Sequence, residues 1–292
     1  MMLGVANSIS LNMPLINFLD FATQLKVEAV ELKMDEPHLL SALSKTEHQK
    51  TVRDIVKSFN FKYFVHAPYI DINLTSMNPI LRKASEKTIL KSIAFAADID
   101  AKLVVSHVGR LSRDYPKEMI TKSLKNVIPC LRNLTNASKN NGIIFTIEND
   151  HKSNDQILAG YPEQLMCLIE KVGCKFTLDV GHANTITKIE TFIDTLAEHI
   201  VYVHLHDNNG EQDAHLSLGK GNINFSAVLA NLRKNEYTGP LMVEVHSFSG
   251  LKESVTLLRK TFVKYTHSFG NQHGLRVYKT QPPSNAASTG QG

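Results

Sequence analysis

The sequence predicts an α/β fold, a (β/α)8 TIM barrel with a short C-terminal tail, and three observations lead there. Short β-rich apolar runs alternate with longer helix-period segments along the whole of the 292 residues. Seven stretches join such a run to His, Asp or Glu and then to turn residues: YFVHAP, LVVSHVG, IIFTIEND, FTLDVGH, VYVHLHDNNG, DAHLSLGKG and LMVEVHS. Strands that stop on metal-ligand residue types suit a parallel barrel whose strand ends converge, because desolvating so many imidazoles and carboxylates unpaired is costly. The length fits one barrel, and no GxGxxG follows the first strand, which disfavours an open doubly wound sheet.

Strand and helix then follow each other eight times. The first strand is placed at Leu3–Ile9 and its helix at Leu15–Lys26; Ala29–Lys33 comes second, with a helix over His38–Phe59. Tyr63–His66 pairs with the helix Asn78–Ala97, and Leu103–His107 with Lys117–Asn140. Gly142 suits the exit from that helix into the fifth strand, Ile143–Glu148. Pro162 suits the first turn of a helix over Pro162–Val172, and Gly173 its exit into Phe176–Asp179. A helix at Ile189–Glu198, strand Ile200–His206, helix Phe225–Lys234, strand Leu241–His246 and helix Leu251–Tyr265 complete the series. Parallel strands joined by right-handed crossovers close into a barrel after eight such units. The barrel domain is set at residues 1–267. From Ser268 the composition turns to Gly, Ser, Asn, Gln and Pro, so residues 268–292 read as a disordered tail without a catalytic role.

Bulk properties narrow the setting. A hydrophobic content of 42% is ample for a large core. No apolar run approaches the roughly 20 residues that span a bilayer, and the opening MMLGVANSIS lacks the marks of a signal peptide. Cys130, Cys167 and Cys174 form no CxxC pair, which suits burial in a reducing cytoplasm. The net charge of +4 includes Arg276 and Lys279 of the tail, so the charge balance neither demands nor excludes a polyanionic partner. The oligomeric state stays open.

Chemistry concentrates in Glu148, Asp179, His204 and Glu244, which end strands five to eight. Those strands neighbour one another around a barrel, so the four side chains can meet over its mouth. Three carboxylates and one imidazole make an oxygen-rich cage for Mn, Mg, Co or Zn. A second ring is available. A bridging Glu148 could join a metal on His66 and His107 to the first site, and His182, Asp213 and His215 could hold a third; alternatively these residues orient ligands or bind substrate hydroxyls. The count of ions is therefore one to three. His204 and His206 lie two apart on a strand and share a face, with His204 taken as ligand and His206 as a neighbour or substrate contact. Glu31 points into the barrel, to touch substrate or to pair with a buried cation. Asn149, His151 and His246 are placed along the pocket wall, and His38, His48, His199 and His267 at the surface.

VHAPYIDIN with His66, ENDH with Glu148, TLDVGHAN with Asp179 and His182, and HLHDNNGEQDAHLSLGKGNI with His204, Asp213 and His215 resemble the xylose-isomerase-like barrel superfamily. That group includes sugar isomerases and epimerases and the endonuclease IV type of abasic-site nuclease, and the resemblance runs from about Leu3 to Tyr265. Endonuclease IV holds three zinc ions with nine side chains. Matched motif by motif, the resemblance implies His66, His107, Glu148, Asp179, His182, His204, Asp213, His215 and Glu244 as ligands here. The surrounding residues depart from the nuclease. Asp71 is inserted between Tyr69–Ile70 and the Asn that follows, and Gly181 stands where the nuclease expects cysteine. HLHDNN replaces an HLNDSK-like loop. HLHDN–G–x–x–D–x–H followed by LGKGNI looks instead like sugar-phosphate isomerases or epimerases. Lys220 stands where those often carry Glu, as a phosphate contact or a solvated side chain.

Two chemistries follow from the resemblance. In the isomerase or epimerase, a divalent metal polarises the carbonyl of a sugar or sugar phosphate, and Glu148 and Glu244 remove and return a proton from opposite sides. In the alternative, a DNA endonuclease, a multinuclear zinc site hydrolyses the phosphodiester, and Tyr69 and Ile70 wedge the duplex beside the abasic site. Tyr69 is counted among the substrate contacts in either case.

Overall fold

Apolar runs that cannot satisfy their own backbone groups pair with a neighbouring run, and here eight do so in sequence order until the last meets the first. The computed structural model describes residues 1–9, 13–35, 37 and 39–269. Its strands are β1 (Met2–Ala6), β2 (Ala29–Lys33), β3 (Lys62–His66), β4 (Leu103–Ser106), β5 (Ile144–Glu148), β6 (Lys175–Asp179), β7 (Ile200–Leu205) and β8 (Pro240–Val243), all parallel in a closed barrel. Closure is made by β1 on β8, with Leu3 opposite Leu241 and Val5 opposite Val243.

The helices wrap the outside. They are α1 (Leu15–Gln24), α2 (Thr46–Lys57), α3 (Pro79–Asp98), α4 (Met119–Asn140), α5 (Pro162–Val172), α6 (Val180–Ile186), α7 (Ile189–Leu196), α8 (Phe225–Lys234) and α9 (Phe248–Phe269). α5 has Pro162 in its first turn and ends at Gly173, whose φ of 75° lies in the left-handed region that glycine enters without steric cost. The chain divides into two compact units, Met1–Leu257 and Leu258–Gly292. The first carries the barrel. The second is helical as far as it is described, to Phe269, so residues 270–292 of the expected tail, with His273, lie outside the described residues, as does His38. Among the described residues no helix is long and apolar enough to cross a membrane.

Several expected elements change at their edges. The first strand stops at Ala6 and passes into a 3-10 turn, Asn7–Ile9, where Asn7 Oδ1 accepts the Lys33 backbone N–H at 2.7 Å. The helix expected over His38–Phe59 is split into a 3-10 turn at Leu40–Leu43 and α2. Asp179 both ends β6 and caps α6, accepting the His182 backbone N–H at 2.7 Å, so a helix begins where a loop was expected. Two-residue strands, Arg110–Leu111 and Gln156–Ile157, pair antiparallel and tie the loop after β4 to the loop after β5. Of the three cysteines expected to be buried, Cys130 and Cys174 are, while Cys167 is half-buried.

Side chains fill the barrel axis. Ala6, Ala29, Phe64, Leu103, Val105, Tyr202 and Met242 form one buried cluster, with the Phe64 and Tyr202 rings 4.9 Å apart. Phe64 lies two residues before His66, and Tyr202 two before His204, so each aromatic shares a strand face with a histidine nearer the rim. This aromatic layer floors the mouth. Phe64→Ala removes a buried ring from a closed interior and is expected to cost about 3–5 kcal/mol. Urea unfolding followed by far-UV circular dichroism measures that loss.

Candidate metal centre

Parallel strands all end at one rim, so residues at their C-terminal ends are gathered by the fold itself. His66, Glu148 and Asp179 are the last residues of β3, β5 and β6; His204 is the penultimate residue of β7. Glu244 follows β8 by one residue and stays in register through its N–H on Leu205 O at 2.9 Å. Three donor sets result, each with ligand atoms within 4.8 Å of one another: His66, His107 and Glu148; Glu148, Asp179, His204 and Glu244; and His182, His206, Asp213 and His215. Glu148 joins the first two, with Oε2 3.2 Å from both His66 Nε2 and His107 Nε2 and Oε1 2.9 Å from His204 Nδ1. His204 Nδ1 also lies 3.2 Å from Glu244 Oε2 and 3.8 Å from Asp179 Oδ2.

The far nitrogen of most of these imidazoles is already committed, which fixes the tautomer and aims the near nitrogen at the cluster. Nδ1 of His66 donates to Ala67 O at 2.7 Å, of His182 to Asn149 O at 2.8 Å and of His215 to Glu244 O at 2.9 Å. His204 uses Nε2 on Glu31 Oε2 at 2.8 Å. His215 holds φ at 44°, a left-handed conformation that a non-glycine residue keeps only when its surroundings dictate it. Asp179 Oδ2, Asp213 Oδ1 and both His206 nitrogens are buried without a hydrogen-bond partner. Oxygen and imidazole donors with open lone pairs at these spacings fit divalent ions.

Charge is crowded here. Burial pushes the Glu148 and Glu244 carboxyls up, but His107 and His204 beside the first, and Lys33 and His204 beside the second, hold both well below the usual carboxylate range. Burial disfavours charge on His182 and His204; Asp179 and Asp213 hold the first well above the ordinary imidazole value, and Glu31 and Glu148 do the same for the second. His107 goes the other way and falls to about 4, because burial outweighs the pull of Glu148.

A cavity of about 540 Å³ opens above the cluster. Tyr69 stands over it, 42% exposed, with its ring 5.6 Å from those of His66 and His107. The inserted Asp71 takes a φ of 59°, so a left-handed turn absorbs the extra residue, and Asp35 Oδ1 accepts the N–H groups of Tyr69 and Ile70 at 3.3 and 3.2 Å. Other expected residues sit elsewhere. Glu31 lies under His204 and away from the cavity; Asn149 is fully buried, its amide bonded at both ends to the backbone of Asp179. His206 joins the His182 set, His151 and His246 line the cavity, and Lys220 is exposed.

Sequence reasoning missed two cations. Lys33 is ion-paired with Glu244 Oε1 and lies 5.3 Å from the Tyr69 ring centre. Burial opposes its charge, but Glu244, Tyr69 and Glu31 hold it above the normal lysine range. Its spacing of two from Glu31 on β2 was the available signal, since both face inward. Arg110 pairs with Asp150 through Nε to Oδ2 at 2.8 Å and Nη2 to Oδ1, and nothing local in the sequence announces that pair.

Residues 19–261 match the family described as a xylose isomerase-like TIM barrel. The chain is 37% identical over 182 residues to an uncharacterized protein of Methanocaldococcus jannaschii, covering 62% of this chain and 70% of that one. It is 27% identical to a solved structure described as a D-tagatose 3-epimerase-like protein, with a TM-score of 0.83 and coverage of 92% of this chain and 99% of that chain. It is also 27% identical over 217 residues to a probable endonuclease 4 of Mycobacterium leprae, covering 71% of this chain and 81% of that one.

Because Glu148 belongs to two donor sets, Glu148→Gln is expected to lower zinc content by more than one ion per chain. Asp213→Asn, in one set only, is expected to lower it by one at most. Plasma mass spectrometry on zinc-loaded, desalted protein gives both numbers.

Proposed function

The chain belongs to the xylose isomerase-like TIM barrel family, and from that premise we propose that it is a divalent-metal-dependent isomerase or epimerase of a sugar or sugar phosphate. The observation that carries the reading is the pair Glu148 and Glu244. They come from β5 and from the end of β8, each places an oxygen within 3.2 Å of His204 Nδ1, and both line the cavity. Glu148, Asp179, His204 and Glu244 would hold a divalent ion, which would supply the Lewis acidity that polarises a carbonyl and its neighbouring hydroxyl. Glu244 takes the proton of the acidified C–H at a carboxylate oxygen that Lys33 keeps ionised. Glu148, on the β5 side, would take up a proton from solvent and pass it to the carbon, and the stereochemistry or the carbonyl position would change accordingly. Lys33 and Tyr69 hold the oxygens of the substrate from above. The cavity of about 540 Å³ suits a compact molecule.

Rim charge supports a small substrate over a duplex. Lys33 and Arg110, the lysine and arginine of the cavity lining, are both paired with carboxylates, and Asp71, Asp155 and Asp213 also line it. Following a phosphodiester backbone takes a row of free cations. The endonuclease reading is kept as a second because the His66 and His182 sets exceed what one ion needs, and because Tyr69 and Ile70 stand 42% and 46% exposed, as wedge residues would.

Incubation of the manganese- or cobalt-loaded protein with a panel of ketoses and ketose phosphates, with sugars separated by chromatography, is expected to give an epimer or aldose. Glu244→Gln is expected to slow that conversion about 10²–10⁴-fold, the usual contribution of a general base. A duplex with one abasic site is expected to stay intact in parallel. Incision that disappears on chelation and with Glu148→Gln, with every sugar unchanged, would replace this reading with the nuclease.

A further inference from the structure

Three imidazoles and one carboxylate meet under the loop after β7. Asp213 Oδ2 lies 3.1 Å from His215 Nε2 and 3.3 Å from His182 Nε2, and its Oδ1 lies 3.3 Å from His206 Nε2. The His206 and His215 rings stack at 3.9 Å. His182 and His215 are oriented through their other nitrogens by carbonyls, as ligands are.

His206 is the odd member. It is wholly buried, yet neither ring nitrogen has a hydrogen-bond partner. Its Nε2 is 3.1 Å from Asp179 Oδ1 without hydrogen-bonding geometry, and that oxygen already accepts the His182 N–H at 2.7 Å. Orienting Asp179 therefore does not account for it. The fold also makes room for this ring. A Cβ on Gly181, in the first turn of α6, would stand 2.0 Å from His206 Cε1 and 2.3 Å from Nε2. Gly181 has no positive φ to explain it, so its missing side chain is a matter of space. Glycine at 181 and histidine at 206 are one feature.

We infer that His206 completes a four-ligand site with His182, Asp213 and His215, which takes a divalent ion such as zinc and keeps it closed to substrate. Three imidazoles and one carboxylate favour four-coordinate zinc, whose shell these side chains fill, whereas the three carboxylates of the Glu148 set suit an ion of higher coordination number that keeps positions for substrate. The inference rests on the metal-dependent reading above and deepens it by separating a structural ion from the reactive one.

The test reads metal and not turnover. Full-length protein stripped by chelation is titrated with zinc against a chromophoric chelator, then loaded with Co²⁺ for its visible spectrum. Wild type is expected to hold one zinc equivalent in a four-coordinate site, seen as intense d–d bands with Co²⁺. His206→Asn is expected to weaken that equivalent at least about 10-fold and to dim the bands, leaving the other equivalents in place. Gly181→Ala is expected to do the same by displacing the ring, and the double variant to be no worse than His206→Asn. Unchanged zinc affinity and Co²⁺ spectrum in both single variants would overturn the inference. Wild type that binds no zinc would overturn the metal-dependent reading itself, a separate result. If circular dichroism shows that a variant has not folded, the wild-type spectrum decides: only weak, six-coordinate bands would likewise overturn the inference.

Discussion

Three carboxylates, Glu148, Asp179 and Glu244, place oxygens within 4.8 Å of one another at the barrel mouth, with Asp213 in the neighbouring donor set and the buried cluster of Phe64 and Tyr202 filling the barrel axis. Buried negative charge at that density persists only with positive charge among it. Without an ion the chain supplies protons and Lys33: His182 and His204 are held charged well above the usual imidazole range, and Lys33 reaches Glu244. A site that draws protons onto two deeply buried imidazoles carries negative charge that a divalent cation would also neutralise.

That demand shapes the surrounding structure. Tyr202 packs against Phe64 at 4.9 Å and against His204 at 5.3 Å, and the His204 ring stacks with that of His66 at 6.0 Å. Backbone carbonyls take the outward N–H groups of His66, His182 and His215, so each ring is set by rigid main chain. Asn149 clips the backbone of Asp179 on both its N–H and its carbonyl, which fixes the carboxylate that also caps α6. Strain is tolerated where it serves the cluster, as in the left-handed backbone of His215.

Much of this was legible in the sequence, for a definite reason. Barrel strands are short and buried, so hydrophobic period and turn residues mark them, and their C-terminal ends share a rim by topology alone. Glu148, Asp179, His204 and Glu244 could thus be grouped from their order along the chain. What was hidden depends on side-chain reach or on competing local bonds. Lys33 reads as the polar end of β2 until Glu244, more than two hundred residues away, is placed beside it. The expected loop after Asp179 becomes helix because its carboxylate caps the next turn. His206 shares a strand face with His204 by spacing, yet it lies past the end of β7 and turns toward Asp213.

The geometry of the mouth then bears on substrate size. A phosphodiester clamped by all three donor sets needs an open position in each of them and cations to hold the strand on either side. The His182 set gathers four donors of its own, and the rim cations Lys33 and Arg110 face Glu244 and Asp150. The approach left is over His107, Glu148 and Glu244, under Tyr69, with Lys33 alongside. There the lysine has a choice that Arg110, gripped through two nitrogens, lacks: a single ammonium can pass from Glu244 to a substrate oxygen with little rearrangement. On the proposed sugar reading, a substrate with a few adjacent oxygens would gain from that exchange. A long polyanion, which needs many such partners at once, would not.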